Sequence, residues 1–125
     1  MDHAAVQDWL DRYVAAWRAN EREPIEGLFT EDATYSWRPG GTPDSTATGR
    51  EAIVDGWLEE QDDPDSWEAS YEAYAVDGDR AVATGVSRYA ATGGKEERTY
   101  HNVFLLRFAP DGRCSEFTEL YMREA

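Results

Sequence analysis

The side chain best suited to chemistry in this 125-residue chain is Glu119, which stands between Phe117 and Tyr121 in the alternating run RCSEFTELYM. In a strand, alternate side chains share a face, so this run puts the carboxylate between two aromatic rings. A carboxylate in apolar surroundings is costly to leave ionised and unpaired. It either takes a cationic partner, a structural role, or is driven by desolvation to a higher pKa that suits general acid–base work. The residues alone leave both open. Tyr13, on the apolar side of a helical pattern, is a second polar group that needs a partner. A backbone carbonyl would make it structural and a ligand would make it functional.

Other chemistries lack their residues. The histidines are His3 and His101, with no His pair or His–carboxylate spacing of a metal site. There is no Ser-His-Asp set and no Gly-x-Ser-x-Gly turn. Gly40-Gly41 lacks the lysine and spacing of a phosphate loop. Asp62, Asp63 and Asp65 lack the spacing and closing Glu of a calcium loop and read as an acidic helix stop. Cys114, the only cysteine, excludes an intramolecular disulfide and reads as a small core residue. For an enzyme, acid–base chemistry without cofactor or metal remains.

Periodicity shows the elements that must position these groups. Val6, Trp9, Leu10, Tyr13, Val14 and Trp17 recur at helical spacing and predict an amphipathic helix over residues 2–20. Pro24 suits the first turn of a short second helix through Ile25, Leu28 and Phe29. Residues 34–37 form a short extended segment with Tyr35 and Trp37 on one face. Residues 38–49, RPGGTPDSTATG, read as a long loop of the lid or rim kind. A third helix over residues 50–61 has Ile53, Trp57 and Leu58 as its buried stripe. From Ser66 the period becomes two: strands over 67–76, 80–91 and 96–109 and a closing strand, separated by Gly-containing turns. In the last hairpin Tyr100, Asn102, Phe104, Leu106 and Phe108 share one face, and His101, Val103, Leu105 and Arg107 share the other. Both faces carry large apolar groups, so helices are expected over one and a second subunit over the other. Three helices followed by a four-stranded antiparallel meander predict one α+β domain over residues 1–125.

Five Trp, seven Tyr and four Phe serve the core first and the walls of an organic-ligand site second. A net charge of -14 with Lys95 as the only lysine argues against nucleic-acid and anionic-membrane partners. With no signal-like N-terminal segment and no long apolar stretch, a cytoplasmic chain is expected.

RYVAAW in the first helix, LFTEDATY after the second, GREAI opening the third and YHNVFLLRF-x-x-DGR-x-x-EF-x-E-x-Y at the end resemble the SnoaL-like branch of the nuclear transport factor 2-like superfamily. The resemblance covers essentially the whole chain. It implies a cone-shaped α+β barrel: three helices packed on a strongly curved, mainly antiparallel sheet, a pocket open at one end, and homodimers through the outer sheet face. The scaffold hosts isomerases, cyclases, hydrolases and non-catalytic modules, so activity carries over only residue by residue. Against ketosteroid isomerase, Tyr13 matches the oxyanion-hole tyrosine, but Trp37 stands at the base position and Phe104 at that of the second donor. Against limonene epoxide hydrolase, Tyr35 matches the pocket tyrosine and Glu119 the last-strand carboxylate. Trp37 there replaces the water-holding Asn, and Thr84 and Val86 fall near the Arg and the first Asp. Neither mechanism is carried over whole.

Together these likenesses imply that Tyr13, Tyr35, Trp37, Thr84, Val86, Phe104, Phe117, Glu119 and Tyr121 lie inside the cone. Alternation adds Arg88, Tyr100 and Asn102, the third helix adds Trp57, and His101 points outward. Arg88 is then the cation available to Glu119. The resulting expectation is a pocket for a small hydrophobic molecule. Glu119, Tyr13 and Tyr35 are its catalytic groups if a proton is moved on a carbonyl or polyketide-like substrate, with Asn102 orienting it and no cofactor. The alternative is a ligand-binding or dimeric assembly module without catalysis.

Overall fold

The computed structural model describes residues 1–125. Helix α1 spans His3–Ala19, α2 Arg22–Glu26 and α3 Arg50–Glu59; strand β1 spans Phe29–Ser36, β2 Thr46–Thr48, β3 Trp67–Asp77, β4 Arg80–Tyr89, β5 Arg98–Phe108 and β6 Cys114–Arg123. The strands form one six-stranded sheet in the order β2-β1-β6-β5-β4-β3. All neighbours are antiparallel except β1 and β6, which run parallel. The sheet is curved and the helices pack on it, as expected, but it does not close into a barrel, and β2 and β3 are its edges.

α1 is set by its ends and its stripe. The Asp2 side chain accepts the Ala5 N–H at 2.8 Å, which satisfies one of the free donors of the first turn. Asn20 ends the helix in the left-handed region at φ 53°, a conformation Asn tolerates because its short polar side chain bonds locally. Val6, Trp9, Leu10, Tyr13 and Ala16 are the buried stripe. Trp9 lies at the centre of the core, edge-on to Phe29 and Phe108 at 6.0 and 5.6 Å between ring centroids. Its indole N–H donates to the Leu28 carbonyl at 3.0 Å, so the one polar atom of the ring is not orphaned. Gln7 fastens α1 to the edge strand: its amide donates to the Tyr71 carbonyl at 2.9 Å and accepts the Ala73 N–H at 3.0 Å. Backbone groups of an edge are thereby used up, beside a register shift in β3 between Ala73 and Ala75.

Two pairings depart from the expected meander. β1 begins at Phe29, not Thr34, and inserts parallel to β6, with Tyr35 opposite Phe117. A parallel pair needs a long crossover, so local alternation carries no sign of it. β2 lies inside the stretch read as loop and pairs with β1 from Thr34↔Thr48 to Ser36↔Thr46. Three residues are too few for a period to register.

Candidate functional site

The closing hairpin places Glu119 as its alternation requires. Across β5, Glu119 lies opposite Phe104, Phe117 opposite Leu106, and Tyr121 opposite Asn102. Phe104 and Phe117, expected to line the pocket, are each 1% exposed and belong to the hydrophobic core; neither lines the cavity. Phe117 stacks with Tyr35 at 4.4 Å and with Tyr13 at 5.5 Å, interplanar angles 14° and 12°. Trp57 on α3 meets Tyr13 edge-on at 5.2 Å. These contacts fix the two tyrosines from three directions and bring their hydroxyls together. The Tyr35 hydroxyl donates to Glu119 Oε2 at 3.3 Å and lies 3.3 Å from the Tyr13 hydroxyl. Since Tyr35 has one hydrogen to give, Tyr13 donates to Tyr35. Both bonds are long for O–H···O.

The group opens onto a cavity of about 600 Å³ lined by 17 residues, among them Tyr13, Tyr35, Trp37, Trp57, Glu119 and Tyr121. Trp37 lies just past the end of β1 and is 40% exposed. An adjoining recess of about 310 Å³ shares Asp62, Tyr89, Glu119 and Tyr121 with it and adds Tyr100 and Asn102. Asn102 is buried and accepts the Ser87 hydroxyl at 2.9 Å, so it belongs to the recess and not to the main cavity.

β4 corrects three expectations. Ala83, Gly85 and Ser87 are its inward residues, opposite Phe104, Asn102 and Tyr100; Thr84, Val86 and Arg88 pair with Val103, His101 and Thr99 on the outer face. A one-residue slip flips every side chain of a strand, and here the bulkier apolar groups face out. The inner positions are small because the Tyr71 ring lies on Gly85. A Cβ there would collide with the Ser70 carbonyl and Tyr71 Cδ1 and come within 2.8 Å of Tyr71 Cα. Arg88 is exposed, and Glu119 belongs to none of the ion pairs. Its carboxylate faces the cavity without a cationic partner. His101 points out, as expected, within 3.8 Å of Glu124.

Burial raises the Glu119 carboxyl above its ordinary 4.5, opposed only by the Tyr35 hydrogen bond. Burial also holds Tyr13 and Tyr35 well above 10; Glu119 and Tyr71 add to it at both, and the hydrogen bond from Tyr13 opposes it at Tyr35. Both phenols therefore stay protonated donors while the carboxyl moves toward neutrality. No group of three or more His, Cys, Asp or Glu is placed to hold a metal ion.

Trp17, Tyr71, Tyr89 and Asp62 also line the cavity and were not among the expected site residues. Trp17 stands one turn after Tyr13 on the same helical stripe, a signal available in the sequence. Tyr71 alternates with Ala73 and could be found that way, whereas Tyr89 required the true parity of β4. Asp62 is held in place by the Trp17 indole N–H at 3.2 Å, and Asn20 donates to its backbone carbonyl at 3.1 Å.

The SnoaL-like domain model matches residues 10–117. The chain belongs to the SnoaL-like domain family. No curated protein sequence matches it. Among solved structures, this SnoaL-like chain is similar to a candidate ketosteroid isomerase from Kribbella flavida DSM 17836, with 21% identity, a TM-score of 0.72, and 99% of this chain and 82% of that one covered. A ketosteroid isomerase-like protein from Erwinia carotovora atroseptica is 18% identical with a TM-score of 0.64, covering 96% and 95%. An NTF2-like protein of unknown function from Cytophaga hutchinsonii is 12% identical with a TM-score of 0.67, covering 93% and 98%. At these identities the likeness is one of fold, that of the nuclear transport factor 2-like superfamily.

Proposed function

We propose that this SnoaL-like protein holds a small, largely hydrophobic organic molecule in the cavity and moves a proton on it through Glu119, in an isomerase or cyclase type of reaction without a cofactor. One observation carries the proposal: a desolvated carboxylate at the wall of the cavity with no cation to neutralise it and a single hydrogen bond, from Tyr35. Such a group lies closer to the working pH than an exposed carboxylate, which is where proton transfer is most effective. In the ionised form Glu119 takes a proton from the carbon beside a carbonyl, and the C–H electrons pass to the carbonyl oxygen. That oxygen is stabilised by the Tyr13 hydroxyl, which turns its one hydrogen from Tyr35 to the ligand, and the Glu119 carboxylic acid returns the proton to another carbon. The base thus comes from β6, and where the resemblance places ketosteroid isomerase's ionisable groups stand Trp37, on the cavity wall, and Phe104, in the core. General acid–base catalysis of this kind contributes about 10²–10⁴-fold.

The test is exchange of α-protons in D₂O, followed by proton NMR on a panel of cyclic enones. The chain is expected to accelerate exchange on at least one member, and Glu119→Gln to lose that acceleration while still binding the compound. Exchange that survives in Glu119→Gln would overturn the role of Glu119.

A binding module without turnover is favoured by one feature, the internal satisfaction of Tyr13, Tyr35 and Glu119 by one another; binding without exchange on any panel member would establish it. On the outer face, the rows Val86–His101–Met122, Thr84–Val103–Leu120 and Val82–Leu105–Thr118 run across three strands. Leu105 and Met122 are 43% and 74% exposed, which supports pairing of two copies through this face. A monomer mass by light scattering would refute that pairing.

A further inference from the structure

The lining of the cavity is chemically one-sided. Of its 17 residues eight are aromatic and four are acidic, and none is Lys, Arg or His. In the main cavity a carboxylate or phosphate ligand would meet repulsion from Glu119 and Asp62 with no cation in the lining to offset it; Arg98, the one cation of the adjoining recess, is already engaged by the Tyr89 ring and the Glu96 carbonyl. A neutral ligand would complete the burial of Glu119 and push its carboxyl further toward the neutral form, making no use of its charge. An organic cation suits both halves of the lining, because the faces of Trp and Tyr rings attract positive charge and a carboxylate completes the pair. The walls have the geometry for it. Trp57 and Tyr13 meet at 89° and form a corner, and Glu119 and Asp62 lie where the cavity and the recess join. Within the recess the protein already uses one of these rings in this way: the Arg98 guanidinium sits 4.5 Å from the Tyr89 ring centroid.

We infer that the cavity takes a small organic cation, an amine or quaternary ammonium with an apolar body, whose charged head lies against the aromatic walls and the Glu119 carboxylate. The inference rests on the cavity being a small-molecule site and names the class of molecule. Burial disfavours the Glu119 anion, and a bound cation is the partner that restores it.

The experiment compares trimethylphenylammonium with tert-butylbenzene, its uncharged isostere, and with phenylacetate, by calorimetry and tryptophan quenching. Salt at about 0.3 M limits the reach of the surface charge to less than about 8 Å. The cation is expected to bind at least about tenfold more tightly than tert-butylbenzene, and phenylacetate not to bind. Trp57→Leu and Glu119→Gln should each weaken the cation several-fold more than they weaken tert-butylbenzene; circular dichroism reports whether each folds, and Asp62→Asn replaces either that does not. Equal or tighter binding of tert-butylbenzene or phenylacetate, binding of none of the three, or a cation preference untouched by the variants overturns the inference. The readout is separate from proton exchange. Exchange on neutral enones without cation preference removes this inference alone, and cation binding without exchange on any substrate removes the catalytic proposal alone.

Discussion

Glu119→Gln isolates the cost of burying one carboxylate. Gln keeps the length of the side chain and an oxygen that accepts the Tyr35 hydroxyl, and removes the charge that burial disfavours. The raised carboxyl means that the folded chain holds this proton more tightly than the unfolded chain does. Stability contributed by the group is therefore greatest at low pH and is lost as pH rises. The window opens at the ordinary 4.5 and closes at the raised value. Each unit of elevation costs the folded state about 1.4 kcal/mol above that window, or roughly 5 °C in Tm for a domain of this size. The assay is urea unfolding of wild type and Glu119→Gln from about pH 4 to about pH 8. Removing any one carboxylate also relieves the self-repulsion of a chain of net charge -14. Glu72→Gln, an exposed site on β3, serves as the control for that effect. Below 4.5 the two variants should match wild type alike; through the window Glu119→Gln should gain over Glu72→Gln, and above it the gain should be constant. A gain equal to that of Glu72→Gln at every pH, or a loss at neutral pH, would refute the claim that Glu119 is desolvated and unpaired.

Tyr35→Phe removes the one interaction that lowers the Glu119 carboxyl; the acidic limb of a pH–rate or pH–binding profile should move to higher pH, and an unmoved limb would show that the bond is not made. Gly85→Ala pushes a methyl into the Ser70 carbonyl and the Tyr71 ring and should cost about 1–3 kcal/mol in urea unfolding. The same change at Gly56, a helical position with nothing within 4 Å of the new atom, should stabilise by roughly 0.5–1 kcal/mol; equal effects at both sites would contradict the packing of β3 on β4. The Cys114 thiol is buried and pushed up to about 12 by desolvation, so a disulfide reagent should label it only at the rate of unfolding. Rapid stoichiometric labelling of the native chain would contradict its place in the core.

Local pattern alone determined the long helix, the third helix, the four strands from Trp67 onward, and the face of the last hairpin on which Glu119 lies. These follow from periods of 3.6 and 2, which each segment carries within itself. The partnership of Tyr13 with Tyr35 and Glu119 was anticipated only as membership of one interior. Their contact depends on the parallel insertion of β1 beside β6, a pairing between residues more than eighty positions apart. The tertiary structure alone decided whether Glu119 has a cation. β4 carries Val82, Thr84 and Val86 on one face and Ala81, Ala83, Gly85 and Ser87 on the other, so hydrophobicity by itself points the wrong face inward. What reverses it is Tyr71, a residue of the neighbouring strand whose ring needs the space over Gly85. That steric demand turns Arg88 to solvent and leaves the carboxylate facing the cavity.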